Sequence, residues 1–422
     1  MTFRTRAVSA IMMSALGLWG CGSDAPTSES DPNTQMEQTQ LEIFSWWVQP
    51  GTIEAFQSLV DLHRKNYPDV RVFNAAKAAT DAGTNAKMVL AERFENNDPP
   101  DLFQQNAFEM RTFLANHPDS IEPLDDLLEQ LDLSGVIAPE ILDAITIDGH
   151  VYSMPVNAHR QNSLFYNKQI FDAAGLSPPT TQAEFLAACE TLKEKGITPV
   201  ALSTSQGWII TTLFYQLALG SMGGQAFVDY FTGKTPMDQE AMGAAIDVLD
   251  LVLTNYINED ANTEGYSWAQ AADKVYNGEA AMFLHGDWVK GYFVQLGWTP
   301  NVDFGVVGSP GAADTFVFGT DVFGIPKGAQ RLDEALEFLT TVGSIEGQVA
   351  FNTFKGSTPM RFDVPKNEFD VIGQEVLADF ANANIRMAQV GKAVWDMALA
   401  DFAKTHDKDA LIQVFIDNPP AQ

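Results

Sequence analysis

The sequence predicts an α/β protein of two or more lobes, and three observations carry that expectation. Strand-like and helix-like stretches alternate from Leu41 onward, the order that builds a mostly parallel sheet. The chain has 422 residues, more than a single hydrophobic core organises. Hydrophobic residues make up 45% of it, enough to fill several cores.

The first element is Leu41-Glu42-Ile43-Phe44-Ser45-Trp46-Trp47, a β-type run that stops on two adjacent tryptophans. Alternation puts Leu41, Ile43 and Ser45 on one side and Phe44 and Trp46 on the other, as a strand covered by helices on both faces tolerates. Its carboxyl end, beside a helix start, is where open α/β sheets bind ligands, so each ring is either a platform or core. Val48-Gln49-Pro50-Gly51 breaks the strand. Ile53, Phe56, Val60, His63 and Tyr67 then recur at helical spacing until Pro68. Val70–Phe73 is the second strand. Asp81-Ala82-Gly83-Thr84 opens a helix over about residues 85 to 94, and Leu102-Phe103-Gln104-Gln105-Asn106 is a third strand ending in amides.

Asp148-Gly149 marks a hairpin turn between two β-prone halves of Ile147–Val156. Leu164–Asn167 resumes a strand, Phe171–Leu176 is a short helix with a glycine stop, and helices follow over 181–195, from Trp208 through Leu219, and along Ile246, Leu249, Leu253 and Tyr256. Val275 to Trp288 reads as helix end, glycine turn, buried strand and then Gly286-Asp287-Trp288. Gly319–Ala329 reads as a strand and a Pro/Gly turn into the helix of Leu332, Leu336 and Leu339. Phe351–Pro359 is expected to be an irregular crossing segment, with helix from there to Ile416.

Charge excludes one class of partner. With 25 basic and 55 acidic residues the net charge is −30, which repels phosphate backbones, and no basic patch offsets it, so no nucleic acid partner is expected. Residues 1–21 are excluded from the fold: Arg4 and Arg6 precede an apolar run from Ala7 to Trp19, too short to span a membrane and suited to a signal-peptide core. Leu18-Trp19-Gly20-Cys21 resembles a lipobox, with lipidation at Cys21 or plain cleavage as the two outcomes. Residues 22–40 are polar and read as a flexible tether. Cys189 then has no partner, so no structural disulfide is expected.

In order and spacing, these pieces resemble the extracytoplasmic solute-binding proteins of ABC importers, in the family 1 sugar-binding group, and most closely the glucose/mannose-binding proteins. The resemblance rests on Leu41–Trp47, Gly83-Thr84-Asn85-Ala86-Lys87, Asp98-Pro99-Pro100-Asp101 with Phe103-Gln104, Pro155-Val156-Asn157 with His159-Arg160 and Asn162, Asn277–Ala281 with Gly286-Asp287-Trp288, Phe323–Ala329, and Gly343-Ser344 with Glu346-Gly347-Gln348. It implies the type II periplasmic-binding-protein fold: two α/β lobes closing on ligand in the cleft between them. One lobe would be residues 41–155 plus 312–355, the other 156–311 plus 356–422. It further implies a periplasmic or extracytoplasmic monomer that captures a monosaccharide resembling glucose or mannose, meets the membrane-spanning permease subunits, and touches the membrane itself only through an anchor at Cys21. No cofactor, metal or catalysis is implied.

The chemistry of such a ligand selects the site. A pyranose offers an apolar face that stacks on an aromatic ring and a rim of hydroxyls that need partners once water is excluded. Matched by position to the family pattern, the candidates are Trp47, Gln104, Asn106, His159, Trp268, Trp288, Asp321 and Lys355. Within the tandem, Trp47 is expected to stack on ligand and Trp46 to support it. Asp321→Ala is expected to abolish binding while leaving the melting temperature of the free protein nearly unchanged. Three departures from the family pattern stand out: Glu54 is the nearest acid after the tandem, Asn106 replaces a histidine, and Val390-Gly391-Lys392 lacks one. The rival reading is a glycosidase using Asp287 and Asp321, whose spacing shows no opposition across a bond. No nucleophile, zinc or nucleotide motif is present.

Overall fold

The computed structural model describes residues 39–76, 84–312 and 314–420. The leader, Cys21, most of the tether and the turn at Gly83 lie outside the described residues. The tether ends earlier than expected, because Thr39 and Gln40 already pair in the first strand.

The elements at the amino end are β1 (Thr39–Phe44), α1 (Thr52–Asn66), β2 (Val70–Asn74), α2 (Thr84–Glu95), β3 (Leu102–Asn106) and α3 (Ala107–Asn116). β1 is central because it is apolar where it must be: Leu41, Ile43 and Phe44 are fully buried. It runs parallel to both β2 and β3. Strand Asp321–Gly324 comes back antiparallel to β3, and Met154–Pro155 pairs on its far side, closing a five-stranded sheet. A second sheet holds Phe304–Gly308, Ser163–Asn167, Ala280–His285 and Thr198–Val200 in that order. A third joins Ile385–Ala388, Thr315–Gly319 and His159–Arg160. The fold is a two-lobe α/β architecture of helix-flanked sheets, as the sequence predicts.

Three expectations are corrected. β1 stops at Phe44, so strand alternation does not reach the tryptophans. The first half of the segment expected to cross irregularly, Phe351–Lys355, ends helix Ile345–Lys355, which is capped by Ser344 Oγ on the Gly347 N–H at 2.9 Å and stopped by Gly356 at φ +82°, while Gly356–Pro359 is non-helical as expected. The carboxyl region is not helical throughout, because Ile385–Ala388 is a strand parallel to Thr315–Gly319. The hairpin expected at Asp148-Gly149 forms as a two-residue pair, with both turn residues at positive φ.

Helix Trp288–Gln295 approaches its neighbours backbone to backbone. A Cβ on Gly291 would lie 2.4 Å from the Phe354 carbonyl oxygen, and one on Gly51 would lie 2.8 Å from the Gly291 carbonyl carbon. A Cβ on Gly356 would meet the Gly291 nitrogen at 2.5 Å. Only glycine fits at such a crossing.

Candidate functional site

Asp321 opens its strand directly opposite Asn106, the last residue of β3, so the antiparallel register sets an acid beside an amide. Four other side chains reach the same carboxylate. Gln104 Nε2 donates to Oδ1 at 3.3 Å and Asn157 Nδ2 to Oδ2 at 3.2 Å. His159 Nε2 lies 3.0 Å from Oδ2, and Lys355 Nζ lies 3.7 Å from it. With its amide turned to face the acid, Asn106 donates to Oδ1 at 3.2 Å and accepts from Lys87 Nζ at 3.2 Å. Asp321 is 5% exposed. Burial pushes its carboxyl up, but the Lys355 charge and the His159 hydrogen bond and charge outweigh that and hold it well below the usual carboxylate range.

His159 is clamped on both sides, since its Nδ1 meets the buried Asp287 carboxylate, which also accepts from the Arg160 N–H at 2.7 Å. Burial works against a charged ring here, yet Asp287 and Asp321 together raise the His159 pKa, and Asn157 Nδ2 also lies 2.9 Å from its Nε2. Burial lowers the Lys355 pKa, with Asp321 and Asp287 opposing. Two acids and two bases thus share one buried network.

The aromatic candidates divide. Trp288 is half-buried and points its ring at His159, 5.2 Å between centroids and close to perpendicular. Trp208, also half-buried, lies 6.3 Å from Trp288. Trp268 is buried behind them, against His285 and Tyr292. His285 itself is fully buried with neither ring nitrogen bonded, and burial lowers its pKa to about 3, so it serves as one more flat ring in this stack.

The burial expected within the tandem is reversed. Trp47 is 2% exposed, enclosed by Phe56, Phe323 and Phe351 at 5.0–6.0 Å, with Lys355 Nζ over its ring; it belongs to the core. Trp46 is the half-buried one, its backbone N–H donating to Gln104 Oε1 at 3.1 Å and its ring lying under Lys87 Nζ at 5.2 Å. Glu54 is committed elsewhere, accepting from the Gly51 N–H at 2.6 Å to cap α1.

The structure therefore gathers Gln104, Asn106, His159, Asp321 and Lys355 around one carboxylate, with Trp288 beside them, Trp268 behind and Trp47 outside. Sequence reasoning missed Asn157, Asp287 and Lys87 as members. Asn157 and His159 share a side two residues apart, a parity signal that was open to use. A cavity of about 300 Å³ lies elsewhere, lined by Arg160, Ser309 and Asp379 among others, away from the indoles.

The arrangement suits reversible binding of a polar, ring-shaped solute: half-buried indoles flank a dense set of amide and charged groups. Among the described residues no helix is long and apolar enough to cross a membrane. Residues 49–349 match the family described as bacterial extracellular solute-binding protein. An uncharacterized ABC transporter extracellular-binding protein of Pyrococcus horikoshii is 32% identical over 401 residues, covering 93% of this chain and 88% of that one. A protein of Brucella suis biovar 1 with the name "Probable sugar-binding periplasmic protein" is 31% identical over 84% of this chain and 83% of its own. A solved chitin oligosaccharide binding protein superposes with a TM-score of 0.77 at 19% identity, covering 90% of this chain and 98% of that one.

Proposed function

The chain belongs to the bacterial extracellular solute-binding protein family, and from that premise we propose that it is the extracytoplasmic sugar-capturing component of an ABC importer. In this reading a monosaccharide of the glucose or mannose type enters between the lobes, stacks on half-buried indoles and exchanges its hydration for the amide and charged groups around Asp321. The lobes close on it and present it to the permease. The lobe division at residues 41–155 plus 312–355 and 156–311 plus 356–422 belongs to this reading, as do action as a monomer and tethering through Cys21. The first sheet, from residues 39–155 and 321–324, and the second, from residues 163–308, follow the division, whereas the third crosses it by pairing residues 315–319 with 159–160 and 385–388.

The observation that carries the proposal is the convergence of Gln104, Asn106, His159, Asp321 and Lys355 beside Trp46 and Trp288. A longer saccharide is the second reading, favoured by the oligosaccharide named for the superposed structure. Intrinsic fluorescence during titration with monosaccharides and disaccharides decides between them, because Trp46, Trp208 and Trp288 are only half-buried. Saturable binding of a monosaccharide without turnover is the expected result. Tight binding of disaccharides alone refutes the monosaccharide form, and cleavage of the sugar refutes the transport reading.

A further inference from the structure

Asp396 is a charged group of this cleft that neither the resemblance nor the network around Asp321 uses. It lies in helix Ala393–Thr405, which packs on helix Gly207–Met222 so closely that a Cβ on Gly207 would meet the Asp396 carbonyl oxygen at 2.2 Å. Trp208 follows Gly207, so Asp396 borders the indole wall. Lys87, whose Nζ lies 5.2 Å from the Trp46 ring centre, is near enough for its charge to act on Asp396. A Cβ on Gly391, a few residues ahead of Asp396, would lie 3.3 Å from Phe108, and the charges of Glu109 and Lys87 both reach the Asp396 carboxylate. Burial pushes that carboxyl up, Glu109 adds to the push, and the Thr211 hydrogen bond and Lys87 act against it.

The charges of the cleft decide what else can enter. Lys87 is held by Glu109 at 2.7 Å and Lys355 by Asp321 at 3.7 Å, while His159 lies between Asp287 and Asp321. Each of these three cations already has a carboxylate. Asp396 is the acid left over: among the described residues its one side-chain hydrogen bond comes from Thr211 Oγ1, at 2.5 Å on Oδ1. We propose that Asp396 contacts the ligand through its second oxygen and makes the site select uncharged sugars over uronic acids. This rests on the sugar-binding reading above. An ionised carboxylate accepts from sugar hydroxyls and cannot donate to a second carboxylate. A uronate placed here would meet a like charge in a partly desolvated cleft whose cations Lys87, Lys355 and His159 each already face a carboxylate.

The test is a titration of the full-length protein with matched pairs, glucose against glucuronate and galactose against galacturonate, repeated with Asp396→Asn. The amide keeps the Thr211 bond and removes the charge. The expected result is that at least one neutral sugar binds, that its uronate binds at least about tenfold more weakly, and that Asp396→Asn narrows this gap by at least about tenfold, the effect of a like charge about 12 Å away or nearer at an effective dielectric near 20. A uronate that binds wild type as well as its neutral parent overturns the selectivity and leaves the sugar reading standing. A gap that Asp396→Asn leaves unchanged overturns the role of Asp396. Failure of every neutral and acidic sugar to bind sinks the sugar reading and this proposal together. If the variant does not fold, the wild-type pairs still decide the selectivity.

Discussion

Replacing Asp321 by alanine is expected to unfold the protein more easily before it affects anything else, the reverse of what its sequence position suggests. The carboxylate is 5% exposed and is contacted by Gln104, Asn157, His159 and Lys355. Without it, Lys355 and His159 remain buried with Asp287 as the acid left beside them. Breaking a buried pair from one side costs about 3–5 kcal/mol, because the surviving charge keeps its desolvation penalty. At an unfolding entropy of roughly 2 cal/mol/K per residue, that lowers the melting temperature of a chain this size by about 4–6 °C. The assay is calorimetric melting of the ligand-free variant at pH 7. A melting temperature within about 1 °C of wild type would refute the reasoning, since it would mean that the carboxylate carries less than about 1 kcal/mol in the free protein.

Three further outcomes follow from the structure. Trp47→Ala is expected to cost about 3–5 kcal/mol in urea unfolding because it empties a core site, whereas Trp46→Ala is expected to stay within about 1 kcal/mol and to lose ligand affinity instead. Equal destabilisation by the two would contradict the division of the tandem. His285 has its pKa lowered to about 3 by burial, so the unfolded chain binds the proton more readily and stability falls as pH drops from about 6.5 toward 3. His285→Phe is expected to lessen the acid sensitivity by on the order of 3 kcal/mol between pH 6.5 and pH 4; parallel pH profiles of the urea midpoint would count against it. Gly291→Ala forces a methyl against the Phe354 and Lys355 carbonyl oxygens, and a loss of about 1–3 kcal/mol is expected on thermal melting. An unchanged melting curve would show that this crossing yields.

The fold was legible where local pattern and tertiary fate agree. β3 was read to its exact residues from Leu102 to Asn106, and helix 181–195 to within one residue at each end, because Thr181 and Glu184 form a capping box there. Helix Ile345–Lys355 was hidden because its last turn is followed by Gly356-Ser357-Thr358-Pro359, which reads as loop and masks the helix before it. Strand Ile385–Ala388 was hidden because its stability comes from pairing with residues far away in sequence. In the site, residue type and family position found the polar hub. They did not find which tryptophan of the tandem is core, because that depends on where β1 ends, and sequence boundaries move by a residue or two. Nor did they reveal that Glu54 caps α1.

The network around Asp321 also bears on time. Its bonds to Gln104, Asn157 and His159 close loops of 217, 164 and 162 residues, and the His159–Asp287 contact spans 128. Loops of that length close late, after local contacts have reduced the chain's freedom. Recognition is therefore acquired at the end of folding, when residues from β3 to Lys355 have met. A solute that needs this assembled set cannot guide the early chain. Its stabilisation falls on the native side of the barrier, so bound sugar is expected to slow unfolding while leaving the rate of folding unchanged.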